Sequence, residues 1–114
     1  MSMNIIKFLI KTRDQIQLYH WRTSFYSRHK VSDDLYTSLN QLIDRFVEVY
    51  LSKYKIKFPK KLLLVKIEDE NFIDYLQYVK DTIEKYEVTE PDLNHIKDEI
   101  LEAVSTAIYL SHQK

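Results

Sequence analysis

Five side chains with metal-binding chemistry crowd one short stretch of the chain. "QLYHWRTSFYSRHKVSDDLYTSLNQLIDRFVE", residues 17–48, holds His20, His29, Asp33, Asp44 and Glu48. Imidazole nitrogens combined with carboxylate oxygens suit Fe(II), Mn(II) or Zn(II) and leave positions open for oxygen or peroxide. The chain has no cysteine, which removes thiolate metal sites and a disulfide framework. It also has no glycine, so neither a phosphate-cradling loop nor a nucleophile elbow can be built.

Spacing decides where such a site would sit. On a helix turning about 100° per residue with His29 at zero, Asn40 falls near 20°, Asp33 near 40° and Asp44 near 60°. Thr37 follows near 80° and Glu48 near 100°, whereas the apolar residues centre near 260°. The polar stripe therefore faces away from the core of its own bundle, as an ordinary solvated face does. A second reading starts from the numbering. Asp33 and Asp44 lie 11 residues apart, about 16 Å along a helix and too far to share one ion. Yet 33 and 44 average 38.5, and so do 29 and 48. An antiparallel pair of these helices, with its two-fold axis at Ser38/Leu39, sets His29 opposite Glu48 and Asp33 opposite Asp44 of the other copy. Thr37 and Asn40 are small and polar where the helices approach, and His20 reaches the cluster from the preceding helix. This geometry predicts a metal site between subunits of a homo-oligomer that is at least a dimer.

The elements that must position these residues are helices. The chain has 114 residues, 45% of them hydrophobic and 30% charged, which fits one folded domain over 1–114. Two prolines and no glycine argue against hairpins and for an all-α fold. Apolar periodicity predicts helices over about 3–24, 27–54, 69–87 and 90–112. Expected core positions are Ile5, Phe8, Leu9, Thr12, Ile16, Tyr19 and Thr23 in the first helix. In the second they are Leu35, Leu39, Leu42, Phe46, Val49 and Tyr50. The third offers Phe72, Leu76, Val79, Ile83 and Tyr86, with Asp69 as an N-cap. The fourth offers Ile96, Ile100, Ala103, Ala107 and Leu110, opened by a Thr89 cap, Pro91 and Asp92. Between the two helical hairpins lies "KIKFPKKLLLVKI", 13 residues interrupted by Pro59. Extended, it spans about 43 Å, more than the roughly 33 Å of a 22-residue helix. The expectation is a ferritin-like four-helix bundle with one long crossover between helices 2 and 3.

The same residues carry a resemblance. "YHW", then His29, Asp33, Asp44 and Glu48 at steps of four, eleven and four, resemble the ferroxidase signature of the Dps-like miniferritins. The stretch from His20 to His29 is three residues shorter than in that family, and the 13-residue linker leaves no room for its small extra helix. The helical plan, with "DEILEAVSTAIYL" near the end, also resembles short ferritin-like proteins of large DNA viruses and phages. The resemblance implies that His20, His29 and Asp33 of one subunit face Asp44 and Glu48 of its partner, with Trp21 beside them. It implies Fe(II) as the ion bound and oxidised to Fe(III), the ligands acting as metal holders. Mn or Zn fit the same donors. The alternative is a non-catalytic structural or assembly protein, such as a virion component, that uses the polar stripe for contacts.

Charge and hydropathy complete the reading. The net charge is zero, but residues 1–66 carry 13 Lys/Arg against 5 Asp/Glu, and residues 67–114 carry 4 against 12. Two hairpins attracting each other inside one bundle explain this division more simply than polar association between copies. "KYKIKFPKKLLLVK", Lys53–Lys66, has six lysines and no acid. A DNA-binding patch would look the same, although a solvated linker is the simpler reading. His95, Glu99 and Glu102 flank the fourth helix's core face and read as capping and surface charges. The apolar N-terminus is interrupted by Lys7 and Lys11 and lacks a cleavage site, and the longest apolar run is "LLLV". A cytoplasmic or virion location, with no membrane partner, is the expectation.

Overall fold

The computed structural model describes residues 3–55 and 58–113, with side chains from residue 5 onward. Ile56 and Lys57, part of the expected crossover and lysine patch, lie outside the described residues, as do residues 1, 2 and 114. Four α-helices form: α1 (Met3–Arg22), α2 (Tyr26–Lys53), α3 (Phe72–Lys85) and α4 (Pro91–Ser111). A 3-10 turn, Asp69–Asn71, leads into α3. No strand occurs among the described residues, so the fold is an all-α four-helix bundle. None of its helices is long and apolar enough to cross a membrane.

The apolar periodicity explains how the helices pack. Ile5, Leu9, Ile16 and Tyr19 of α1 meet Leu35, Leu39, Ile43 and Phe46 of α2 in one continuous core. Phe72, Leu76, Val79 and Ile83 of α3 and Leu93, Ile96, Ile100 and Val104 of α4 complete it. Each such side chain contributes about 1.5–3 kcal/mol by leaving water. The 28 residues of α2 rise about 42 Å, and the longest dimension of the molecule is 42 Å. This one helix therefore runs the whole length of the bundle.

Contacts between helix ends give the topology. Lys53 at the end of α2 pairs with Asp92 at the start of α4, 3.2 Å apart. Phe72 at the start of α3 stacks on Tyr19 near the end of α1, with centroids 3.9 Å apart and planes 4° off parallel. Tyr86, just past α3, reaches Phe8 near the start of α1. Hence α2 ends where α4 begins, while α3 begins at the opposite end, beside the α1–α2 turn. The helices run up, down, down and up, and the chain after α2 crosses the full length of the bundle, as the linker length predicts.

The crossover is fastened to α1 by side chains that replace a neighbouring strand. Gln15, 1% exposed, donates its amide NH2 to the Val65 carbonyl at 2.7 Å and accepts the Val65 N–H at 2.6 Å. A buried amide with both ends satisfied avoids the penalty of an orphaned polar group. Arg22 donates to the Ile67 carbonyl at 2.9 Å. Around these anchors Leu62 and Leu64 are half-buried, Leu63 and Val65 point outward, and Ile67 is buried.

Three expectations need correction. Asp69 does not cap α3; the N-cap is Asn71, without a side-chain cap bond, and Asp69 turns back to the α1–α2 turn instead. The N-cap of α4 is Glu90, not Thr89, whose hydroxyl bonds to the Glu90 side chain. Asp92 does meet the first turn, accepting the Leu93 N–H at 2.8 Å. In α4 the buried line runs Leu93, Ile96, Ile100, Val104, Ala107 and Ser111. Ala103 is partly buried and packs against the core as expected, whereas the continuous 3.6-residue drift of a straight helix leaves Leu110, 38% exposed, on the flank facing α2.

Candidate metal centre

His20 sits on the last turn of α1 and His29 on the first turn of α2, separated by the turn Thr23–Ser24–Phe25. The turn folds the two histidines face to face, with ring centroids 4.0 Å apart and planes 26° off parallel. Their hydrogen bonds are reciprocal. His20 Nδ1 lies 3.0 Å from the His29 carbonyl, and His29 Nδ1 lies 3.0 Å from the His20 carbonyl. A carbonyl oxygen only accepts, so each Nδ1 carries a proton and, in the neutral ring, Nε2 is left to present its lone pair. This is the tautomer a metal needs, set by the backbone contact that typically orients a histidine ligand. The bond from His29 also occupies one of the carbonyls that the end of α1 leaves without a helical partner.

The pair is rigidly seated from below. Asp69 Oδ1 accepts the Tyr19 hydroxyl at 2.7 Å and the Thr23 hydroxyl at 2.5 Å, and Oδ2 lies 3.4 Å from the Ser24 hydroxyl. Burial works against the Asp69 charge, but the hydrogen bonds from Thr23, Tyr19 and Ser24 outweigh it and hold the carboxyl below its ordinary value. Burial also pushes the Tyr19 hydroxyl up, assisted by the adjacent carboxylate. Arg28 donates to the Asp69 carbonyl at 3.1 Å and lies over the Phe72 ring, 5.8 Å from its centroid. The end of the crossover thus fixes the turn on which both histidines depend.

The structure brings three of the five candidates together. His20 Nε2 is 3.9 Å from Asp33 Oδ1, with His29 stacked alongside. Asp44 and Glu48 lie farther down α2, exposed and without an ion-pair or hydrogen-bond partner among the described residues. Accordingly, no group of three or more His, Asp or Glu side chains among the described residues could hold a metal within one chain. His20, His29 and Asp33 are donors of the kind a divalent transition metal takes, but these three do not by themselves form a group that could hold one. His95 Nε2 pairs instead with Glu99 at 2.9 Å, and Glu99 also meets Arg45 at 3.3 Å. That cluster is an ion network.

A family model matches residues 20–110, from His20 through α4. The chain belongs to the family DUF5856. It is described as a family of unknown function, and all five candidate residues fall within the matched segment. Most of α1, including the Gln15 clamp, precedes it. Comparison with curated proteins and with solved structures returns no significant match for this DUF5856 chain.

The residues that sequence reasoning missed are Asp69 as the seat of the turn, and two exposed apolar side chains on the stripe. Tyr26 is 81% exposed and Leu51 is 42% exposed. Their numbers also average 38.5, a signal that was available in the spacing.

Proposed function

We propose that the chain binds a divalent metal, Fe(II) foremost, at a site shared by two copies packed antiparallel through α2. The observation that carries this reading is the reciprocal histidine pair, whose Nδ1 atoms are both spent on backbone carbonyls. In this proposal the pair and Asp33 supply half of the ligands, and the exposed Asp44 and Glu48 of a second copy, brought up by a two-fold axis at Ser38/Leu39, supply the other half. Tyr26 and Leu51 then cover each other at the ends of the same contact, and Thr37 meets Asn40 near the axis. Iron is substrate and cargo here. The chain's residues hold Fe(II) while O2 or peroxide takes one electron from each ion, and the carboxylates favour the ferric product. In this proposal the histidines and carboxylates orient the ion and move no protons.

A second reading keeps the α2 contact and omits the chemistry. Trp21, Phe25 and Tyr26 are 65%, 54% and 81% exposed around the α1–α2 turn, a cluster that suits a protein contact in an assembly protein.

Cross-linking tests the shared axis directly. The chain has no cysteine, so the double substitution Thr37→Cys, Asn40→Cys introduces the only thiols. Mild oxidation should convert the chain almost completely to a covalent dimer on a non-reducing gel. A Ser27→Cys control, off the paired register, should stay monomeric. Equal cross-linking of both would remove the register on which the site depends.

A further inference from the structure

The other side of α2 borders a groove. This groove of about 320 Å³ runs between α2 and α4, at the small end of the roughly 300–1,000 Å³ typical of ligand pockets. Its floor is apolar, built from Leu35, Leu42, Ala103 and Ala107, with small alanines where α4 would otherwise fill it. Asp34, Glu99 and Glu102 line its rim, and no lysine or arginine does. Two neighbouring cations lean on that rim, Lys30 on Asp34 at 3.1 Å and Arg45 on Glu99 at 3.3 Å. Both pairs are exposed, so they hold only weakly and exchange readily. Glu102 has no partner among the described residues.

The crossover carries the complementary pattern. Its outward side chains, Leu63 and Val65, are 72% and 57% exposed. Lys60 and Lys61 precede them, and Lys66 follows. Lys60 and Lys61 have no carboxylate partner among the described residues, and Lys66 has only the exposed Glu68 at 3.3 Å. The charge division of the chain is therefore incompletely neutralised within one molecule. Among the described residues, beyond the local Lys66–Glu68 pair, the bridges joining its basic and acidic parts are Arg45–Glu99 and Lys53–Asp92.

We infer that the lysine-flanked outer edge of the crossover of one copy docks in the acidic, apolar-floored groove between α2 and α4 of a second copy. Leu63 and Val65 supply the apolar filling, and the flanking ammonium groups replace Lys30 and Arg45 at the rim. The crossover lies against α1, whereas the groove lies between α2 and α4, so the contact joins two different surfaces. Such a head-to-tail contact propagates into a ring or an open chain. On α2 the groove residues fall at about 140–240° from His29 and the polar stripe at about 0–100°, so both contacts fit on one copy. This contact is independent of the metal reading.

Sedimentation velocity on the full chain, in chelator to leave metal out, tests it. At about 0.05 M salt the mass should grow with protein concentration beyond a dimer, and at about 0.5 M, where the screening length is a few ångströms, it should not. The groove variant Glu99→Lys, Glu102→Lys and the crossover variant Lys60→Glu, Lys61→Glu should each weaken association at least about tenfold. An equimolar mixture of the two should associate again, because each altered surface then meets one of opposite sign. Mass independent of salt, no recovery on mixing, or loss in the crossover variant alone would overturn the inference. Loss confined to the crossover variant, together with oligonucleotide binding by the wild type, would assign the lysines to a polyanion instead.

Discussion

Iron binding should be lost in a His29→Ala chain and in an Asp44→Ala chain, and should return, to about a quarter of wild-type capacity, when the two are unfolded together and refolded. The number follows from the two-fold arrangement. Random pairing makes about half of the dimers mixed, and each mixed dimer has one site with both defects and one with neither. Either substitution alone should weaken Fe(II) binding well over tenfold, since it removes a proposed direct ligand where even outer-shell partners matter about 10- to 100-fold. Folding should be little affected. Asp44 is exposed and makes no bond among the described residues, and His29 gives up one hydrogen bond to the end of α1, about 1 kcal/mol. A site contained within one chain predicts the opposite, with mixing recovering nothing.

The second large effect concerns stability. Asp69→Ala should cost about 2–3 kcal/mol at neutral pH, because it strips a charged acceptor from the hydroxyls of Tyr19 and Thr23. The same carboxylate makes that cost depend on pH. Its folded value lies below the ordinary one, so its charge stabilises the fold fully above about pH 4, the unfolded value. The contribution fades as pH falls from there through the folded value. Urea unfolding should therefore show the midpoints of the wild type and Asp69→Ala separated at neutral pH and drawing together as pH falls below about 4. An Asp69→Asn chain should lack the pH-dependent part. Tyr19 adds a limit at the other extreme. Its hydroxyl value is raised in the fold, so its contribution holds below about pH 10 and is lost as pH rises through the folded value. A difference between wild type and Asp69→Ala that stayed constant with pH would show that the carboxylate charge plays no part.

The four helices were legible because each buries a continuous stripe, from Ile5–Tyr19 in α1 to Leu93–Ala107 in α4. The crossover was legible from two lengths compared, a linker longer than the helix it must pass. The grouping of His20, His29 and Asp33 followed from helical register together with a short turn. What escaped the sequence was long-range. Gln15 gripping Val65, and Tyr19 and Thr23 gripping Asp69, join residues about fifty positions apart, and no local pattern encodes such a partner. Asp69 looked like a cap because acidic residues before a helix usually are caps. Here the nearby hydroxyls of the α1–α2 turn compete for the carboxylate and win. The exchange of hydrogen bonds between His20 and His29 was equally hidden, since it depends on how three residues turn between two helices. Leu110 was assigned to the core from alternating steps of three and four, whereas a straight helix drifts past that register.

An anaerobic Fe(II) titration of the purified wild-type chain, followed by calorimetry beside the Asp44→Ala chain, tests the shared metal site most directly. The shared site should show saturable binding of about one or two Fe(II) per chain in the wild type, with stoichiometry and affinity collapsing in Asp44→Ala. A folded dimer that binds no Fe(II) at neutral pH, or an Asp44→Ala chain that binds as the wild type does, would contradict it.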